Sequence, residues 1–201
     1  MADATGTRRR SRSGARTGRP AAASGVDREA RAQLLQLDRI DSALRSRWVQ
    51  SGFKDRGLQR KLDALSAAGI EWLREVISLH GWPGRSLVGS RAADAASRLI
   101  QHAECSLAFQ RRCLRLTEEA AARGDVPLRH VAYLTDVVRL RAGRKQLFGT
   151  KFREVDGELV PYPIEKEAEV DARRKQMELE PLAAYARRLR RRFPPRRTRR
   201  R

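Results

Sequence analysis

Apolar residues recur at three- and four-residue steps along most of the chain between residues 27 and 141. This spacing is that of an amphipathic helix and differs from the alternation of a strand. The first stripe follows Asp27, a suitable helix N-cap, and predicts a helix to about residue 50; its members are Leu34, Leu37, Ile40, Leu44 and Trp48. The pattern predicts three more helices at about 58–79, with a break or kink at Gly69, at about 90–123 and at about 128–141.

The segment 146–162 has the alternating pattern of strands rather than the helical spacing. Two runs of alternating residues, 146–155 and 158–162, flank Asp156-Gly157, which is a dipeptide typical of a type I′ hairpin turn. A lone two-stranded hairpin is marginally stable, so we expect it to pack on the helices. Further helices are predicted at about 165–177 and 181–192. The predicted fold is therefore mainly α (α+β), a bundle of about five or six helices with one β-hairpin at about 146–162.

Arginine is concentrated at the two ends of this chain of 201 residues, whose formal net charge is +20. Residues 1–25 contain six arginines and one acid, and residues 187–201 contain ten arginines and no acid. Segments with so much charge and so few large apolar side chains cannot offset the entropy lost on ordering. We therefore predict disordered basic tails at 1–25 and 194–201, flanking a single domain at 26–193.

Basic tails of this kind attract polyanions, because arginine–phosphate contacts release counterions without reading a base sequence. Nonspecific nucleic acid is therefore one possible partner. The residues that would bind it are Arg8, Arg9, Arg10, Arg196, Arg197, Arg199, Arg200 and Arg201. A GC-rich bacterial genome imposes the same composition wherever selection is weak, so compositional drift combined with solubility is the alternative.

The sequence also predicts a compartment. No stretch approaches the run of about 18 apolar residues that a membrane span requires, and no apolar segment follows the basic N-terminus as in a secretory signal. Cys105 and Cys113 fall eight residues apart in one helical pattern, about 12 Å along the axis, which is too far for a disulfide. We therefore expect a cytoplasmic protein with reduced thiols and no membrane partner.

Several short motifs occur in a recognisable order. They are Gly81-Trp82-Pro83 with Val88-Gly89, Gln101-His102-Ala103-Glu104, Tyr133-Leu134-Thr135-Asp136, Gln146-Leu147-Phe148-Gly149-Thr150, and Asp171 with Arg173-Arg174 and Leu179-Pro181-Leu182-Tyr185. Over about residues 45–190 this set resembles an uncharacterised bacterial domain family, and the resemblance implies no particular activity. In the family pattern an arginine follows the aspartate, a tyrosine precedes the Gly-Thr pair and a glutamine follows it. This chain has Val137, Phe148 and Lys151 at those positions.

Three polar residues in apolar surroundings are candidates for catalysis: His102, Asp136 and Gln146. If they converge, the histidine is a base, the aspartate orients it and the glutamine supplies a polarising amide. That combination suits hydrolysis or group transfer on a small polar metabolite. The structural alternative is open for each: a core histidine with one hydrogen bond, an ion pair of Asp136 with His102, Arg139 or Arg174, and a glutamine that caps the preceding helix.

Trp82, Thr150 and Arg174 are the candidates for binding this ligand. Trp82 lies in the Gly-Trp-Pro turn, and Thr150 follows Gly149, where the backbone can approach a ligand closely. No nucleophile is identified, because Ser106 is expected in the middle of the third helix rather than on a strained turn.

The histidines and cysteines lack the spacings of a zinc site, and the chain has no phosphate-binding glycine loop. The sequence therefore points to no metal and no cofactor. The leading hypothesis is a domain that binds, and as a hydrolase- or transferase-like enzyme transforms, a small polar ligand near His102, Asp136 and Gln146. The alternatives are a nucleic-acid-associated accessory or regulatory protein and an interaction module without chemistry.

Overall fold

A computed structural model describes residues 26–103 and 106–193. Its first two helices are α1, Arg28–Gln50, and α2, Arg56–His80. Asp27 caps α1 by accepting a hydrogen bond from the Ala30 N–H at 2.9 Å, as the sequence predicts. The break expected at Gly69 is wrong, since α2 runs through it unbroken. A Cβ at Gly69 would lie 3.7 Å from the Leu37 side chain, so this glycine sits where α1 and α2 pack closely.

The third predicted helix is two helices. After a four-residue helix, α3 (Arg85–Val88), α4 covers Ser90–His102 and α5 covers Leu107–Ala122. Ser106 is not in mid-helix but caps α5, accepting from the Phe109 N–H at 3.2 Å. The buried Gln110 side chain donates to the Ile100 and Ala103 carbonyls at 3.1 and 3.2 Å, which satisfies groups left unpaired where α4 ends. Of the two cysteines expected in one helix, Cys113 lies on α5 and Cys105 lies outside the described residues.

The second half contains the remaining helices and the hairpin. The sixth helix, α6, spans Leu128–Arg141 as predicted. Strands β1, Phe152–Val155, and β2, Glu158–Pro161, pair antiparallel with Val155 opposite Glu158. Asp156 and Gly157 have φ of 52° and 82°, as a type I′ turn requires, so the hairpin is confirmed. A 3₁₀ turn at Glu167–Glu169 leads into α7, Val170–Gln176, and α8, Leu182–Arg192, packs against β2 and α7.

The hairpin is shorter than predicted. Residues 146–151 form an irregular loop, the 146–151 loop, in which Gln146 forms an isolated β-bridge with Ile164. Gly149 in this loop has φ of +63°, and a Cβ there would lie 2.8 Å from a Leu182 side-chain atom and 2.9 Å from one of Ile164. Both facts explain why glycine occupies the position.

The mainly helical fold with one hairpin is confirmed, and the described residues form eight α-helices. Small residues let α4 pack closely in the centre of the core, which also includes Leu34, Leu73 and Leu134. The alanines of α4 that are buried there are Ala92, Ala93, Ala95 and Ala96. Across the two described ranges, no helix is both long enough and apolar enough to span a membrane.

Candidate functional site

His102 is the last residue of α4, and its partner comes from α1. Its Nδ1 lies 2.7 Å from the Oδ2 of Asp41, whose side chain is 6% exposed, whereas the His102 side chain is 32% exposed. The orienting carboxylate is therefore Asp41, and the predicted pairing of His102 with Asp136 is wrong. One helical turn earlier, Arg98 forms two hydrogen bonds of 2.8 and 2.7 Å with Asp38, which holds the same two helices in register.

Arg45 completes this contact. Its Nε donates to both oxygens of Asp41 at 3.0 Å, and its Nη2 donates to the His102 carbonyl at 3.2 Å. The carbonyl is one of those that the end of α4 leaves without a helical partner. Arg45 therefore ties the aspartate and the histidine into one unit, and the histidine ring is held from Asp41 alone.

The charges of this unit determine which histidine nitrogen is available. Burial, opposed by the hydrogen bond to Asp41 and reinforced by the nearby Arg45 and Lys151 charges, lowers the pKa of His102. Burial acts to raise the pKa of Asp41, but the hydrogen bond and charge of His102, together with Arg45, hold it below its ordinary value. At neutral pH an ionised carboxylate accepts the Nδ1–H of a neutral imidazole. Nε2 then carries a lone pair, and no described residue hydrogen-bonds to it.

Lys151 brings an amine to the same place. Its Nζ lies 3.5 Å from the Oε1 of Gln101, the residue next to His102 on α4. Burial lowers the pKa of Lys151 to about 8; the Asp136 carboxylate opposes this shift and Arg45 adds to it. We call Asp41, Arg45, Gln101, His102 and Lys151 the His102 cluster. Its four charged or titratable groups meet at the junction of α1, α4 and the 146–151 loop, where the charge of Lys151 acts on His102 and that of Arg45 acts on Lys151.

Asp136 has a different role. Its side chain is inaccessible to solvent, and its two oxygens accept four hydrogen bonds. Oδ1 accepts from the N–H groups of Leu147 and Phe148 at 2.7 and 3.1 Å, and Oδ2 accepts from the N–H and hydroxyl of Thr150 at 2.9 and 2.8 Å. A carboxylate so engaged fixes the turn of the loop. Asp136 therefore pairs with the loop, not with His102, Arg139 or Arg174.

Gln146 also holds the loop. Its amide nitrogen donates to the carbonyls of Lys151 and Tyr162 at 3.1 and 2.8 Å, and its amide oxygen accepts from the Lys151 N–H at 3.0 Å. It is fully buried. We call Asp136, Gln146, Thr150 and the main chain of the 146–151 loop the Asp136 cluster. Through Gln146 this cluster fixes the backbone of Lys151.

The ligand-binding candidates are buried too. Arg174, 1% exposed, donates to the Phe148 and Glu180 carbonyls at 2.5 and 2.7 Å, so its guanidinium supports the loop from behind. Thr150 is committed to Asp136. Trp82 belongs to the hydrophobic core, and its indole N–H has no hydrogen-bond partner among the described residues.

A second histidine–aspartate pair lies near the start of α4. His130 on α6 places its Nε2 2.6 Å from the Oδ1 of Asp94, and its side chain is only 8% exposed. Burial, opposed by Asp94 and reinforced by Arg129 and Arg98, lowers the pKa of His130. Its other nitrogen, Nδ1, is buried and without a partner among the described residues.

Sequence reasoning missed Asp41 and Arg45, although a signal was present. Asp41 falls on the buried face of α1 with Ala30, Leu34 and Leu37, where an acid is unusual. Ile40, assigned to that face from the sequence, is 36% exposed. The predicted nucleic-acid residues Arg8, Arg9, Arg10, Arg196, Arg197, Arg199, Arg200 and Arg201 lie outside the described residues. Within residues 26–103 and 106–193, no three histidine, cysteine or acidic side chains group in a way that could hold a metal ion.

A family model described as a family of unknown function, DUF6624, matches residues 28–194. The chain belongs to this family. Comparisons with the curated proteins and with the solved structures found no match. The DUF6624 match covers both clusters and every helix of the structure, so the site lies inside the family domain rather than on an addition to it.

The three positions singled out from the family pattern have different environments in this DUF6624 domain. Val137 is buried in the core. Phe148 contributes its backbone N–H to Asp136 and its carbonyl to Arg174. Of the three, only Lys151 directs a polar side chain into the His102 cluster.

Proposed function

We propose that this DUF6624 domain binds a small polar ligand at the His102 cluster and acts on it by general acid–base chemistry, in the manner of a hydrolase or transferase. The observation that carries the proposal is the His102–Asp41 hydrogen bond of 2.7 Å, which leaves Nε2 of a partly exposed ring without a protein partner. An imidazole oriented by a carboxylate is a common form of general base.

The proposal shifts the site from the one that sequence reasoning predicted. Four of the predicted site residues use their polar atoms in hydrogen bonds that support the 146–151 loop: Asp136, Gln146, Thr150 and Arg174. Asp41 takes over the orienting role, and Lys151 supplies the group that contacts the ligand. His102 keeps the role of base, accepting a proton at Nε2 from water or from a hydroxyl of the ligand.

The charges favour a ligand with an anionic or strongly accepting group. Lys151 and Arg45 contribute two positive charges, and the single carboxylate of Asp41 is already shared between Arg45 and His102. A cationic amine that is partly withdrawn from water gains more from an anion than an exposed one does. A small carboxylate or phosphate ester next to Lys151 would place its reacting atoms beside His102.

The test is a thermal-shift screen of the full chain against small carboxylates, phosphates and phosphate esters. A ligand at about one hundred times its Kd stabilises the native state by about 2.7 kcal/mol, which raises the Tm measurably. We expect His102→Gln and Lys151→Met to abolish the shift.

His130→Gln is the matched control, because it removes the other histidine–aspartate pair. A ligand whose shift survives His102→Gln, or a panel in which no compound raises the Tm, contradicts the proposal.

A further inference from the structure

The last helix, α8, divides into an inner and an outer face. Tyr185 and Ala186 are buried, Leu182 and Leu189 are half-buried, and these four share the side that packs on the hairpin and α7. The helical period of 3.6 residues places Arg187 and Arg191 on the opposite side and the other arginines along its flanks. All five are exposed: Arg187, Arg188, Arg190, Arg191 and Arg192.

Few of these charges are neutralised. Arg188 pairs with Glu180 at 2.7 Å, and Arg190 donates to the Leu159 carbonyl at 3.2 Å. Arg187, Arg191 and Arg192 have no acidic partner among the described residues. The sequence contains no acid from residue 181 to residue 201. The outer face of α8 is therefore a strip of like charge, which an ordinary solvated helix relieves with interspersed acids.

We infer that the outer face of α8 binds the phosphate backbone of a duplex nucleic acid, a function separate from that of the His102 cluster. Arg187 and Arg191 lie one turn apart, about 6 Å along the axis, so both guanidinium groups can contact phosphates of one strand. A guanidinium also matches a phosphate with two parallel hydrogen bonds.

The composition of this face favours a duplex over two other polyanions. A helix that inserts into a lipid surface needs large apolar side chains beside its arginines, and Leu182 and Leu189 of α8 lie on the side that packs on the protein. Single-stranded nucleic acid is bound by stacking on aromatic residues, and the outer face has none between residues 187 and 192. The remaining polyanion is a duplex, whose phosphates can be contacted by charge alone. We therefore predict that the binding is independent of base sequence.

The experiment measures binding of the full chain to a short fluorescein-labelled DNA duplex of mixed sequence by anisotropy, between about 50 and 200 mM salt. The triple variant Arg187→Gln, Arg191→Gln and Arg192→Gln is expected to weaken binding about tenfold or more. It should also reduce the slope of log K against log salt by about 2.7, which corresponds to three phosphate contacts.

The matched control is Arg111→Gln, Arg112→Gln and Arg115→Gln, which removes the same charge from the exposed side of α5, where Glu118 and Glu119 follow. We expect it to change the slope by less than one contact. The inference is overturned if both triple variants lose affinity equally, which would show an effect of net charge alone, or if the α8 variant binds as the wild type does. It is also overturned if phosphatidylserine vesicles bind the chain and the duplex does not.

Discussion

Lys151 joins two polar clusters that use their hydrogen-bonding capacity in different ways. In the Asp136 cluster, four donors meet the two oxygens of one carboxylate, and the side-chain amide of Gln146 is engaged at both ends. In the His102 cluster, Asp41 holds one nitrogen of a histidine whose other nitrogen has no partner among the described residues, and Lys151 makes one long contact of 3.5 Å. The polar groups of the Asp136 cluster are therefore fully hydrogen-bonded, whereas those of the His102 cluster can still form hydrogen bonds with a ligand.

This difference distinguishes residues that support the fold from residues that could react with a ligand. A buried polar group that is fully paired contributes rigidity and has nothing left for a ligand. A partly exposed group with an unused donor or acceptor can exchange water for a ligand. The Asp136 cluster therefore positions the backbone of Lys151, and the His102 cluster is where a ligand is expected to react. Removing the central carboxylate is therefore expected to cost more stability in the Asp136 cluster than in the His102 cluster.

The largest effect is expected for Asp136→Ala. It leaves the N–H groups of Leu147, Phe148 and Thr150 without their acceptor in a buried loop, and each unsatisfied group costs about 1–3 kcal/mol. We expect the free energy of unfolding, measured by urea denaturation, to fall by about 3 kcal/mol or more.

Asp41→Ala is the matched variant in the other cluster. Its partners Arg45 and His102 are 26% and 32% exposed, so water can replace the lost carboxylate, and a loss of about 1–2 kcal/mol is expected. A loss for Asp41→Ala that equals or exceeds the loss for Asp136→Ala would remove the distinction between a saturated and an unsaturated cluster.

A smaller effect of opposite sign is expected for Lys151→Met. Burial holds the pKa of Lys151 at about 8, below its ordinary 10.5, so the charged amine opposes folding at pH 7. Replacement by an apolar side chain of similar length should stabilise the protein by about 1 kcal/mol while removing ligand binding. Between pH 8 and 10.5 the unfolded state binds more protons than the folded state, so wild-type stability rises with pH and the advantage of the variant shrinks.

The exposed Lys145, a few residues earlier, provides the control. Lys145→Met should leave the Tm nearly unchanged at pH 7 and at pH 10. A Lys151→Met protein that melts below the wild type would mean that the amine makes a net favourable interaction and is itself a support.

Local signals in the sequence account for much of the fold. Helix α1 follows its N-cap Asp27, and the turn at Asp156-Gly157 appears as predicted, because caps and type I′ turns depend on neighbouring residues. The sequence does not predict the break between α4 and α5. At this break, the Gln110 side chain donates hydrogen bonds to the carbonyls of Ile100 and Ala103. The periodicity of apolar residues does not predict a contact of this kind.

The candidate site shows the same limit. His102, Asp136 and Gln146 are identifiable as polar residues in apolar surroundings, but their partners depend on which helices become neighbours. Asp41 is 61 residues from His102 in the chain, and only the packing of α1 on α4 brings them together. The sequence could reveal an acid on the buried face of α1, and it could not assign that acid to a particular histidine.

The smallest effect concerns the two histidine–aspartate pairs of α4. His102 and His130 both have a lowered pKa in the folded protein, so as the pH falls below about 6.5 the unfolded state takes up protons before the folded state does. The free energy of unfolding therefore decreases as the pH falls. His102→Gln and His130→Gln should each flatten the dependence of Tm on pH between 7.5 and 5.5. Asp41, with its pKa below the ordinary acid range, contributes to this dependence only at lower pH.

Nitrogen-15 NMR of the imidazoles distinguishes the pairs: at pH 7, His102 should carry its proton on Nδ1, facing Asp41, and His130 on Nε2, facing Asp94. If the His102 ring carried its proton on Nε2 at that pH, its lone pair would be on Nδ1, facing Asp41. Nε2 could then not accept a proton, and the two pairs would be equivalent supports.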